Sequence, residues 1–221
     1  MPYLTTEAQM YSPKHFEESD PITLQELIAH HPLGTWTTWA DGELMVNHIP
    51  FHIDSGRGAN GTLVGHVARA NPIWKKIAAS SPAVVVFQGP QTYITPSWFP
   101  SKHLHGKAVP TWNYAVVHAH GEPIAIHDKD WLLAHVRQLS DTHEASQALP
   151  WQVSDAPVDY IDKMLDAIVG IEIPIRSLQG KWKVSQNKQA ADRLGTIAGL
   201  SQRSDPVSKE MAELIDVHMK A

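Results

Sequence analysis

TWTTWADGELMVNHIPFHI, residues 35–53, reads as two strands folded back on one another. Thr35–Trp39 is β-branched and aromatic, Asp41-Gly42 is a hairpin turn, and Glu43 to Ile53 resumes an extended pattern. Working outward, Gly61–Ala68 predicts another strand, and Asn71-Pro72 opens a helix running through Ala79. Ala83–Phe87 is short, apolar and β-branched, so it predicts a buried strand closed by Gly89-Pro90. Thr111–His120 is a long strand, and Gly121-Glu122-Pro123 turns it into Ile124–Ile126 as a second hairpin. Before the first hairpin, Leu24–His31 predicts a short helix ended by Pro32-Leu33-Gly34.

Beyond residue 127 the period changes to helical. Asp128 caps a helix with Trp131, Leu132, His135, Val136 and Leu139 on one face, and Tyr160, Ile161, Met164, Leu165 and Ile168 mark the next. Ile171, Ile173 and Ile175 alternate with polar positions, and Pro174 suggests an edge strand. Gly180 then turns the chain toward Trp182–Ser185, a helix covers Gln189–Leu194, and Asp205 caps a last helix from Pro206 to Met219 with Val207, Met211, Leu214, Ile215 and His218 as its stripe. Roughly eight strands before residue 127, a late strand and outlying helices predict a mainly β fold, an antiparallel barrel with peripheral helices. One domain over residues 1–200 is expected, with the helix of residues 201–221 packed on it, and Ser140–Pro157 is the least periodic stretch.

Hydrophobic residues make up 43% and charged residues 19%, enough apolar content to fold unaided. Cysteine is absent, which excludes disulfides, thiolate metal sites and a thiol nucleophile. A net charge of −5 opposes binding to a phosphate backbone unless a local basic patch intervenes. The N-terminal residues lack the apolar region of a secretory signal and no window matches a membrane span, so a cytoplasmic location is expected. No phosphate-binding glycine loop, nucleophile elbow or dinucleotide fingerprint is present.

GPQTYITPSWFPSKHLHGKAVPTWNY, residues 89–114, has no carboxylate. Pro96, Pro100 and Pro110 stiffen it, so a shaped loop is expected rather than a central strand. Its aromatic faces and cations suit a planar anion, and equally a rigid cover over a core edge. Gly65–Pro72 places His66 and Arg69 between a strand and a helix start, a phosphate-binding geometry that a surface salt bridge at Arg69 also explains. Gly180–Asn187 offers Lys181, Lys183, Ser185, Gln186 and Asn187, either for a uracil-like ring edge or as a helix-capping turn. His48 and His52 share a strand face, as do His118 and His120, but no carboxylate completes a ligand set, so no metal is expected.

These blocks, in order, resemble the PaiB family of FMN-binding negative transcriptional regulators, which share the split barrel of pyridoxamine phosphate oxidases. The resemblance runs from MYSPKHFEESD (residues 10–20) through HPLGTW, HIPFHID, GHVARANPIW, FQGPQTYITPSWFPSK, HGKAVPTWNYAVVHAHG, PWQVSDAPVDYI and AIVGIEIPI to GKWKVSQNKQAADRLG, covering the chain up to Leu200. It implies an antiparallel FMN-binding split β-barrel and a homodimer with FMN at the subunit interface. It gives His66 and Arg69 the phosphate; by their chemistry and motif position Ser97, Lys102, Lys181, Ser185 and Gln186 are further candidate contacts, with Trp112 bordering the ring. His48 and Asn113 complete the candidate set. Where the family often has Arg after SQN, this chain has Lys188, which keeps the charge and loses the bidentate fork. The resemblance implies a regulator, with DNA contact resting on it alone. An FMN-dependent oxidoreductase and, further off, a haem-binding relative with His48, His52 or His66 as axial ligand are the alternatives.

Overall fold

In the computed structural model, which describes residues 10–77 and 81–220, alternation along the first hairpin sorts its side chains as expected. Strand β2 (Leu33–Ala40), which follows the short β1 (Glu17–Glu18) and helix α1 (Pro21–His30), buries Gly34, Trp36, Thr38 and Ala40. It pairs antiparallel with β3 (Glu43–Pro50) in the register Leu33↔Pro50 to Ala40↔Glu43. Asp41 (φ 55°) and Gly42 (φ 78°) occupy the left-handed region that a two-residue hairpin turn requires. Gly34 is needed for packing, because an added Cβ would come within 2.5 Å of Val85 and 3.0 Å of both Phe51 and Phe87.

The remaining strands are β4 (His52–Asp54), β5 (Thr62–Ala68), β6 (Ala83–Ile94), β7 (Thr111–Gly121), β8 (Ile124–Ile126) and β9 (Ile168–Lys183). In sheet order they run β3-β2-β6-β7-β9-β5-β4, with β1 and β8 also paired to β9. Helices α2 (Ile73–Lys76), α3 (Pro100–His105), α4 (Lys129–Glu144), α5 (Val158–Asp166), α6 (Ala190–Ser201) and α7 (Pro206–Lys220) complete the chain. The fold is mainly antiparallel β with helices around it.

The described residues divide into two units. The first takes the described parts of Met1–Leu27, Gln88–His118 and Gln179–Ala221; the second takes Ile28–Phe87 and Ala119–Leu178 among those described. In the first unit, α7 packs on α6 and buries Ser208, Met211, Ala212 and Ile215, while Val207, expected on that stripe, is exposed. Gly195 and Gly199 of α6 let the helix press against Trp98, whose ring also carries the Arg203 guanidinium at 4.8 Å. In the second unit the core is built on Trp36, Phe51, Phe87, Ile171 and Ile173, with Phe51 and Phe87 meeting edge to face at 6.1 Å.

Several sequence expectations are corrected. The extended run 43–53 breaks at Phe51, whose N–H donates to the Pro32 carbonyl, so His48 and His52 lie on different strands. Ala83–Phe87 does not stop at Gly89-Pro90; it continues to Ile94, and burial shifts from odd to even positions there, the phase slip of a bulge. Pro90 is tolerated because β2 pairs only with Ala83–Val86. The loop expected over 89–114 therefore shrinks to residues 95–110, which include a 3-10 turn (Pro96–Trp98) and α3. β8 returns onto β9 rather than forming a hairpin with β7. Pro174 is not at an edge: it opposes Thr62 on β5, and β8 begins only at Ile124 opposite Glu172, so no residue of β8 stands across from it. Ile168 belongs to β9 rather than the preceding helix, β9 runs unbroken past Gly180 to Lys183, and α6 extends beyond Leu194 to Ser201. Residues 140–157 lie inside the second unit. The helix expected from Pro72 through Ala79 stops at Lys76, where Ile77 turns extended; Ala78 and Ala79 lie outside the described residues.

The second unit holds a partly buried polar chain that ties α4 to the sheet. Arg57 grips Glu172 with two hydrogen bonds of 2.6 and 2.8 Å, and the Trp131 indole N–H donates to the same carboxylate at 2.9 Å. Trp131 stacks on His135, whose Nε2 lies 2.9 Å from Nδ1 of His66. Arg57 first, then the Trp131 indole, hold the Glu172 carboxyl below the usual range against its burial. Burial, then the nearby His66 and His52, depress His135 from 6.5 to about 4. Since the unfolded chain protonates this histidine first, its contribution is full above pH 6.5 and is lost as pH falls toward 4. Stability in urea at pH 4.5 is expected to fall by about 2–3 kcal/mol relative to pH 7.5 through this group. The slope should flatten in His135→Gln; a wild-type slope in that variant would contradict the assignment.

Candidate functional site

Strand β9 carries Lys181 and Lys183 two residues apart, so the pleat puts both on one face. Lys181 is buried, at 9% exposure, which requires its ammonium to find acceptors. It donates to the Tyr11 carbonyl at 2.9 Å and lies 5.4 and 5.6 Å from the ring centres of Tyr11 and Tyr114. Half-buried Lys183 donates to the Thr111 hydroxyl and, at 2.7 Å, to the Trp112 carbonyl, with its ammonium 5.9 Å from the Tyr114 ring. Lys188 sits 5.2 Å over Phe99. Aromatic faces and carbonyls thus hold three cations, and among the described residues no carboxylate pairs with any of them.

The cost of that arrangement is visible at Lys183. Burial, then the charges of Lys181 and Lys188, push its ammonium below the usual lysine value of 10.5. An oxyanion placed there would relieve both neighbour repulsions.

Beside the lysines, Asn113 is buried on β7 and donates to the Ser185 hydroxyl at 2.9 Å. Ser185 holds φ at 67°, a left-handed conformation uncommon outside glycine, in the turn that ends β9. Gln186 closes this turn: its side-chain oxygen accepts from Val184 N at 2.8 Å and its amide N–H donates to the Trp182 carbonyl. Both ends of that amide are therefore engaged by its own turn. Trp112 is 54% exposed and meets Tyr93 edge to face at 6.2 Å, so two aromatic faces border the cluster.

The first unit thus brings together Trp112, Asn113, Lys181, Ser185 and Gln186 of the expected residues. Ser97 is exposed in the 3-10 turn, where its N–H donates to Thr95 Oγ1 at 3.2 Å. Lys102 is exposed on α3. The second unit holds His48, His66 and Arg69. His48 is exposed on β3, opposite Thr35. His66 faces His135, and burial lowers its pKa. Arg69 donates to the carbonyls of Asp166 and, at 2.7 Å, Ile168, closing the C-terminal end of α5 where the helix dipole favours a cation. Only Nη1 of its guanidinium is left without a partner among the described residues. Asn71 caps the start of α2 through Ile73 N at 3.0 Å, and the Trp74 indole donates to the Arg69 carbonyl at 3.0 Å.

Sequence reading offered Lys183 in the Gly180–Asn187 stretch but left it out of the phosphate contacts, and it did not pair Asn113 with Ser185, 72 positions away. The Lys-Trp-Lys alternation was the available signal. It also missed the cluster of Arg57, Glu172, Trp131 and His135, whose partners are distant in the chain. Among the described residues no group of three or more His, Cys, Asp or Glu side chains is arranged to hold a metal ion.

The donor set fits a phosphorylated aromatic ring: three ammonium groups without carboxylates, flat faces beside them, and a hydroxyl–amide pair. Lys183 must be protonated to bind an oxyanion, so affinity for inorganic phosphate should weaken as pH rises through its lowered pKa. Calorimetric titration between pH 7 and 10.5 is expected to show this loss, with proton uptake on binding at the alkaline end. Lys183→Met should remove it; an identical profile in that variant would exclude Lys183.

The chain is similar to known proteins along most of its length. A family model described as "putative FMN-binding domain" matches residues 10–177. An uncharacterized protein of Emericella nidulans is 35% identical, over 93% of this chain and 96% of its own length. The protease synthase and sporulation protein PAI 2 of Bacillus subtilis is 29% identical, over 96% of this chain and 99% of its own. Among solved structures, the FAD and haem binding protein of Mycobacterium smegmatis superposes with a TM-score of 0.56 at 17% identity, over 76% of this chain and 73% of that one. The flavocytochrome Anf3 of Azotobacter vinelandii gives 0.57 at 13% identity, over 80% and 74%. The fold is the antiparallel split barrel of these proteins.

Proposed function

The chain belongs to the FMN-binding domain family, and from that premise we propose that it binds flavin mononucleotide, with Lys181 and Lys183 drawing the phosphate to the first unit. The observation that carries this reading is the cluster of lysines, held by carbonyls and aromatic rings with no carboxylate among the described residues. In this assignment Lys183 and Lys181 neutralise phosphate, Trp112 borders the ring, and Asn113 fixes Ser185 so that its turn is presented. Gln186 shapes the turn. Bound FMN supplies reversible one- or two-electron redox chemistry. Contacts from His48, His66 and Arg69 are proposed on family resemblance. Arg69 has one guanidinium nitrogen to offer.

The proposed role is that of a flavin-bearing regulator of the PaiB type, acting as a homodimer in the cytoplasm. No helix of the described residues is long and apolar enough to cross a membrane. The net charge of −5 disfavours direct DNA reading, so the regulatory output proposed is through a protein or through the redox state of the flavin.

Fluorescence titration tests the site. Wild-type protein should bind FMN at least ten-fold more tightly than riboflavin, because only FMN carries the phosphate. Lys183→Met is expected to weaken FMN about ten-fold, equivalent to about 1.4 kcal/mol, and to leave riboflavin unchanged. Arg203→Ala, whose guanidinium is occupied by Trp98 and Thr92, should stay within two-fold. Equal affinity for FMN and riboflavin, or a loss on Arg69→Ala with none on Lys183→Met, would overturn the lysine assignment.

A further inference from the structure

The second unit carries a surface that the flavin reading leaves unused. Helices α4 and α5, with the 3-10 turn Val153–Asp155, enclose a cleft of about 270 Å³ lined by Leu133, Val153, Val158, Ile161 and Leu165. A second cleft of about 310 Å³ continues along Arg137, Asp141 and Gln152, sharing Val153 and Ser154 with the first. On α5, Val158, Ile161 and Leu165 recur at helical spacing, which turns one apolar stripe into the cleft. The apolar surface does not stop there: Val158 is 86% exposed and Leu149, in the preceding loop, 92%. Trp151 and Tyr160 are exposed as well. An apolar patch of this kind beside a cleft is the ordinary mark of an interaction surface.

Charge says what kind of partner covers it. Between Asp128 and Asp166 the chain has eight carboxylates against three cations, so this stretch alone accounts for the whole −5 of the protein. Lys129 is spent on Asp162 and Asp166, at 2.9 and 2.8 Å, and Lys163 lies 3.9 Å from Asp159. Asp130 and Asp141 have no cation partner among the described residues. Among the described residues Arg137 is the one cation lining the two clefts. The field over the patch is negative, which repels an anionic membrane surface, a nucleic acid or a fatty acid.

We infer that this face docks a basic amphipathic peptide segment of another protein. One large apolar side chain of that segment fills the α4–α5 cleft, and its lysines or arginines face Asp130, Asp141 and their neighbours. The cleft volume suits a single Leu, Phe or Trp anchor, and such a helix-in-groove contact concentrates affinity on that anchor. Arg137 is then a mismatch that limits affinity, and a sign test follows from it: removing this charge should tighten a basic ligand and weaken an acidic one.

The test uses the full chain and a fluorescein-labelled 14-residue peptide of leucines and lysines in helical spacing, read by anisotropy at 50 and 300 mM salt. Two controls replace its lysines by glutamates or its leucines by serines. The leucine–lysine peptide should bind with micromolar affinity that weakens about ten-fold at the higher salt, while both controls fail. Val158→Asn, at an exposed position that spares the fold, should weaken binding at least five-fold. Arg137→Gln should strengthen it two- to five-fold, and Asp216→Asn in the other unit should have no effect. Tighter binding of the glutamate peptide, weakening by Arg137→Gln, or wild-type affinity in Val158→Asn would each overturn the inference. So would a homodimer, seen by sedimentation, that Val158→Asn dissociates, since a second copy would then be the occupant. FMN titration of the same variants should be unchanged.

Discussion

Charged side chains on a strand that is buried along most of its length are the constraint from which the rest follows. β9 carries Glu172, Lys181 and Lys183, and each must be desolvated in part or paired. Glu172 is answered inside the protein, by a bidentate arginine and an indole N–H. Among the described residues the lysines are answered only by carbonyls, a hydroxyl and ring faces, which orient a cation without cancelling it. One charge is thus settled by the fold, and two are left to act on something else. Under the proposed flavin reading, that asymmetry separates the structural charge from the binding ones.

Similar reasoning sorts the remaining candidates. Arg69 and Gln186 are candidate ligand contacts by their chemistry and their place in motifs, and most of their donors and acceptors also close a helix end and a turn. Their positions support the backbone near the motifs. Ser185 differs: a buried serine in the left-handed region is costly for an ordinary residue, and Asn113 holds it there. Strain maintained by a dedicated partner is the stronger pointer to function.

The first hairpin was legible because Trp36 and Thr38 alternate with Thr35 and Thr37, and because Asp41-Gly42 admits one kind of turn. The late helices were legible through their caps, with Asp128 and Asp205 each accepting a backbone N–H as expected. Gly89-Pro90 misled because a proline inside an apolar run reads as a stop, whereas β6 needs only a slip in phase once β2 has ended. Pro174 misled likewise, since one proline cannot say which neighbour is missing. Of the candidate site, Trp112 and Lys181 were proposed from chemistry. The coupling of Lys183 to Trp112 and of Asn113 to Ser185 was not, because strand pairing brings together residues more than 70 positions apart.

The claim that the lysine cluster is the anion seat is tested most directly by reductive methylation of lysines, followed residue by residue with mass spectrometry. Saturating FMN should protect Lys183 and Lys188 from labelling while exposed Lys163 and Lys209 label as in free protein, and riboflavin should protect far less. Unchanged labelling of Lys183 and Lys188 with FMN demonstrably bound would contradict the account.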